Sequence, residues 1–134
     1  SSIMKWCGEY ALDKDMRKFV WALTKLCAEW NTLTVRLMLM ARKDREIISA
    51  ASDDFLMYSG YVMMGYHWAR MAAVAYDKLE NGGTEAPEFY KAKIQTAEFY
   101  FDKLLPRTSG HAEGMVAPSS SMTAMDIDNF AFLD

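Results

Sequence analysis

The sequence predicts an all-α fold, an antiparallel helical bundle of three long helices with a shorter helix packed across them. Three observations carry this. Strand-like runs of Val and Ile are absent. Apolar residues recur at spacings of three and four through most of the chain, which is the period of a helix. Finally, Phe55 to Ala75 reads FLMYSGYVMMGYHWARMAAVA, where only His67 and Arg70 could carry charge. A helix that is apolar on every side is expected to be buried, so this one should be the centre of the fold. At 134 residues the chain is read as one domain, 1–134, burying roughly two thirds of its unfolded surface.

The elements follow in order. Ile3 to Tyr10 reads as a short helical piece. Asp13 or Asp15 can cap a long helix running to about Lys43. Its apolar positions are Met16, Phe19/Val20, Leu23, Leu26/Cys27, Trp30, Leu33/Thr34, Leu37 and Met40/Ala41. Lys14, Lys18, Lys25 and Glu29 fall near the opposite face, which reads as solvated. Asp44 to Ala51 reads as a connection that can hold a helical turn. Ser52 can then cap the central helix, which runs to about Glu80. Within it Gly65, Ala69 and Ala73 form a stripe of small residues where a neighbouring helix can come close. Asn81-Gly82-Gly83 ends the helix, because Asn and Gly accept a left-handed C-cap. Pro87 suits the first turn of the next helix, whose stripes are Phe89, Ala92, Thr96, Phe99 and Tyr90, Ile94, Ala97, Phe101, Leu104. Pro106 must break or kink that pattern. Arg107 to Val116 continues as a weaker helix. A partly irregular tail, 117–134, follows, with a turn or two of helix expected over Met122 to Leu133.

Composition narrows the function. Net charge is −3, and the cluster Arg42, Lys43, Arg45 is interrupted by Asp44 and Glu46. Nucleic acid is therefore not expected as a partner. A membrane span is not expected either, since Arg70 and His67 interrupt the one long apolar segment. No secretory signal is visible, so a cytoplasmic location is expected. The chain opens on Ser-Ser rather than Met, with a helical pattern almost at once, which reads as an excised C-terminal fragment. A hydrophobic fraction of 51% with 11 Met leaves apolar surface to hide, some of it against a partner.

No constellation of catalytic residues stands out. Cys7 and Cys27 sit in helical surroundings without a Cys-x-x-Cys, and read as packed free thiols. His67 could ligate a haem or metal, but carboxylate metal sites in bundles use Glu-x-x-His pairs and none occurs. Gly82-Gly83 is a helix stop, not a phosphate cradle. We therefore expect no catalytic, cofactor-binding or metal-binding residue. Arg70 is the sharper oddity, because a buried guanidinium must be paired. A structural partner on another helix is the first reading. Docking to a surface outside this chain, with Tyr66 and Trp68 beside it, is the second, and recognition of a phosphate the third.

Two stretches carry a resemblance. They are YSGYVMMGYHWARMA, Tyr58 to Ala72, and FYKAKIQTAEFYFDKLLPRT, Phe89 to Thr108, followed by SSMTAMD, Ser120 to Asp126. Their order and separation resemble the C-terminal extension domain of a subgroup of acyl-CoA dehydrogenases. This subgroup includes 3-methylmercaptopropionyl-CoA dehydrogenase and larger bacterial fatty acyl-CoA dehydrogenases. The resemblance runs from about Asp13 to Asp126. It implies a parent flavoprotein of fatty acid metabolism, an oxidoreductase binding FAD and oxidising the Cα–Cβ bond of an acyl-CoA. In that family a glutamate in a Tyr-Glu-Gly segment takes the α-proton and flavin N5 takes the hydride. No Tyr-Glu-Gly occurs here, and Gly8-Glu9-Tyr10 is only the reverse order. The resemblance thus implies an accessory domain without FAD or catalytic base of its own. Its partners would be the dehydrogenase body of the same chain or a sister subunit in a homo-oligomer. A free-standing helical interaction module is the alternative.

Overall fold

The chain folds as an antiparallel helical bundle built around one very long helix, in a computed structural model that describes residues 1–42 and 45–116. Every regular element among these residues is helical. Helix α1 spans Ser2–Glu9, and the Ser1 hydroxyl accepts the Met4 N–H at its start. Asp13 does not cap the next helix. Its carboxylate accepts the Asp15 N–H at 2.9 Å and so closes the preceding turn. Helix α2, Arg17–Ala41, begins one step later, with fully buried Met16 at the cap position and no side-chain cap. Burial takes the place of the cap there.

Helix α3 spans Arg45–Asn81, 37 residues and about 55 Å at 1.5 Å per residue. It starts earlier than expected. The stretch read as a connection is helical from Arg45, and Ser52 lies inside the helix. The Ser52 hydroxyl donates to the Ser49 carbonyl at 3.0 Å, an in-helix bond that makes no demand for a cap. No Gly or Pro between 45 and 51 opposes the extension. At the other end Gly82 has φ +90° and its N–H reaches the Lys78 carbonyl at 2.9 Å, the left-handed stop that was expected.

Helix α4, Pro87–Phe99, carries Pro in its first turn. The winding then widens to a π turn over Tyr100–Leu104 and tightens to a 3-10 turn over Leu105–Arg107. Pro106 explains the change, because it lacks the N–H that a regular helix would need there. Helix α5, Thr108–Val116, resumes the course, with the Thr108 hydroxyl donating to the Leu105 carbonyl at 2.7 Å. The third long helix is therefore a relay of shorter windings. The expected helical turns over Met122 to Leu133, and the tail as a whole, lie outside the described residues.

Three buried clusters run along α3, the smallest joining Ala75 to Tyr90 and Ile94 of α4. Of the two larger, one joins Met16, at the cap of α2, and Phe19 and Leu23 within it to Ala69, Ala72 and Ala73 of α3 and to Ala97, Tyr100, Phe101 and Leu105. Phe19 meets Phe101 edge to face with centroids 4.8 Å apart. The other joins Cys27 and Leu33 to Ala51, Tyr58, Val62 and Met115. The small stripe is buried as expected. What presses on Gly65 is the Leu105 side chain and the Tyr100 ring rather than a bare backbone.

Candidate functional site

The central helix is buried on one side only. Tyr58, Val62, Gly65, Ala69, Ala72 and Ala73 face the bundle. Leu56, Met57, Gly60, Met63, Met64, His67, Arg70, Met71 and Val74 are exposed, although most are apolar. Leu56 remains 70% exposed and Val74 56%. The expectation of a helix buried all round is thus corrected. Helices α2, α4 and α5 occupy one half of its circumference, and no described element covers the other. A second exposed apolar group lies on α2, with Trp21, Val35, Met38 and Leu39.

Arg70 stands at the edge of this open face. It is exposed, and no described carboxylate pairs with it. Among the described residues Arg70 is thus exposed rather than buried, and the internal ion pair expected from the sequence is not formed there. The residue projects from the side of α3 that the bundle leaves open, so desolvation makes no demand on it. Its guanidinium lies over the Tyr66 ring, 5.4 Å from the centroid. Tyr66 and Trp68 are half-buried and pack against the main core. Tyr66 meets the Trp6 ring of α1 edge to face at 5.9 Å.

A groove of about 520 Å³ runs between α3 and α4 beside Arg70. Met71, Val74, Ala75 and Phe89 give it an apolar floor, while Arg70 and Lys93 stand over aromatic rings at its margin. A smaller groove of about 280 Å³ opens where α1 meets α2 and α3, next to Trp30 and Met63. The Trp30 indole N–H donates to the Ser59 hydroxyl at 2.9 Å within it.

The polar contacts inside the bundle are structural. Tyr58 is fully buried, and its hydroxyl donates to Glu29 Oε1 at 2.7 Å. Burial, reinforced by that carboxylate, pushes the Tyr58 phenol strongly up. Glu29 is accordingly half-buried rather than on a solvated face. The Tyr100 hydroxyl donates to the Tyr61 carbonyl at 2.7 Å, and burial pushes that phenol up to about 12. His111 Nδ1 lies 2.8 Å from Asp54 Oδ1, tying α5 to α3 under the Tyr61 ring. Gly114 permits this, since a Cβ there would collide with the Asp54 carboxylate. Sequence reading missed this pair. A glycine inside a short helix near a histidine was the only trace of it.

Cys7 and Cys27 are buried free thiols. Burial raises both pKa values, the environment of inert rather than nucleophilic cysteines. Among the described residues no group of three His, Cys, Asp or Glu side chains could hold a metal ion. No helix among them is long and apolar enough to cross a membrane. What the described surface offers is apolar contact area, with Arg70 and Lys93 at the margin of one groove.

A family described as "Acetyl-CoA dehydrogenase C-terminal like" matches residues 1–126. A comparison with curated proteins returns no match.

Proposed function

The chain belongs to the acetyl-CoA dehydrogenase C-terminal-like family, and we propose that it is the accessory helical domain of a cytoplasmic, FAD-dependent acyl-CoA dehydrogenase. The parent would form the α,β double bond of acyl-CoA thioesters. This domain would cover the dehydrogenase body and help hold subunits together. The observation that carries the reading is the match over nearly the whole chain, joined to helices that keep Trp21, Met38, Leu56 and Met64 in solvent. Exposed apolar patches of this kind mark surfaces that another protein part covers. The chemistry would belong to the body, with FAD supplying the hydride acceptor there.

The test is made on the natural polypeptide that carries these residues. It should purify yellow and reduce an electron-acceptor dye when given an acyl-CoA. The 134-residue chain alone should bind neither FAD nor acyl-CoA. Dye reduction by the isolated chain, or a natural polypeptide with no flavin, would overturn the reading.

A further inference from the structure

The exposed residues of α3 repeat with a spacing that a solvated face does not need. Met57, Gly60, Met64, His67, Met71, Val74 and Lys78 follow one another at alternating steps of three and four, with Asp53 one step before them. All eight are exposed. These are the a and d spacings of a two-stranded coiled coil, here on an exposed face, with Met57, Met64, Met71 and Val74 as its large apolar members. From Asp53 to Lys78 it is about 38 Å long at 1.5 Å per residue.

The seam is also complementary to itself when reversed. Laid antiparallel on a second copy, with its middle between Met64 and His67, each position meets a position of the same series. Met64 faces His67, Gly60 faces Met71, and Met57 faces Val74, each twice by symmetry. The missing side chain at Gly60 leaves room for the long Met71, so large opposes small. At the two ends Asp53 faces Lys78, opposite charges in both places. A parallel pairing would instead set Asp53 on Asp53 and Lys78 on Lys78. Methionines at three positions of the series, Met57, Met64 and Met71, adapt to a partner surface at low cost.

We propose that this open face of α3 pairs antiparallel with the same face of a second copy of the chain, across a two-fold axis near Met64 and His67. The occupant is a second copy because the end charges and the small–large opposition match only under reversal. An isologous contact of this sort closes on itself and makes a dimer. The pairing deepens the subunit-association role proposed above by naming its surface.

Sedimentation and oxidative cross-linking of the 134-residue chain test this without flavin or acyl-CoA. Failure here would therefore leave the enzymatic parent standing, and a flavin-free parent would leave the dimer standing. The chain should sediment as a dimer, and Met64→Glu should give a folded monomer by circular dichroism. Asp53→Lys should weaken association at least tenfold, and adding Lys78→Asp to it should restore most of the loss. Met57→Cys mixed with Val74→Cys should cross-link as a mixed pair, while neither alone forms a covalent dimer. A chain that stays monomeric at high concentration overturns the proposal, whether the body or the 117–134 segment takes this face instead. So does a dimer indifferent to Met64→Glu, or cross-linking of Met57→Cys to itself.

Discussion

Gly65 shows how much a single missing side chain can decide. A Cβ built there would sit 3.2 Å from Leu105 Cδ1 and 3.5 Å from the Tyr100 ring. A small group forces only a slight shift, but a full side chain must displace Leu105 from its site. Gly65→Leu should therefore destabilise the chain by about 1–3 kcal/mol or more, read as a lowered urea midpoint. An unchanged midpoint would mean that Tyr100 and Leu105, in the turns between α4 and α5, do not pack on this stripe. Tyr100, packed beside it, links stability to pH. Its phenol is held neutral in the fold, with a pKa raised from 10.0 to about 12. The folded state thus keeps a proton that the unfolded chain releases first. The contribution is fully present below pH 10 and is lost as pH rises through about 12. Tyr100→Phe should flatten the alkaline limb of the stability profile while costing about 0.5–1.5 kcal/mol at neutral pH for the lost hydrogen bond. The small stripe was legible in the sequence because its spacing alone places it on one helix face. The Asp54–His111 pair was not, because it spans 57 positions and no periodicity joins residues on different helices.

Helix identity was easier to read than helix limits. The stop at Gly82 and the start at Pro87 follow from local backbone rules, and both stand where the sequence put them. The starts of α2 and α3 do not, since capping residues are opportunities that packing can decline. Asp13 is used in a turn, and Ser52 is overrun by a helix that has no reason to stop. The two readings of Ser52 differ in measurable cost. A true N-cap replaced by Ala loses about 0.5–2 kcal/mol. An exposed hydroxyl bonded back to its own helix should lose almost nothing. Ser52→Ala should therefore leave the melting temperature unchanged or slightly raised, because Ala is the better helix former. A drop of several degrees would place a helix boundary at Ser52 after all.

The open half of α3 was the least legible feature at the scale of the whole molecule. Apolar residues all round a helix imply that everything is covered, but not by which chain. Among the described residues α2, α4 and α5 pack on one side of this 37-residue helix, and the residues of the other side stay exposed. That remainder changes what Arg70 should do when altered. The guanidinium is exposed over Tyr66, and such a cation–π contact contributes about 0.5–1 kcal/mol. Had the residue been one half of a buried pair, its loss would have cost about 3–5 kcal/mol. Arg70→Met preserves most of the volume and removes the charge. In the isolated chain, held dilute, its melting temperature should shift by no more than a few degrees. In the assembled parent enzyme, the same change should alter subunit association or its dependence on salt, because the residue borders the uncovered face and one rim of the α3–α4 groove. A large drop in the dilute chain would restore the internal pair. A parent enzyme whose assembly is indifferent to Arg70→Met would remove Arg70 from any docking surface.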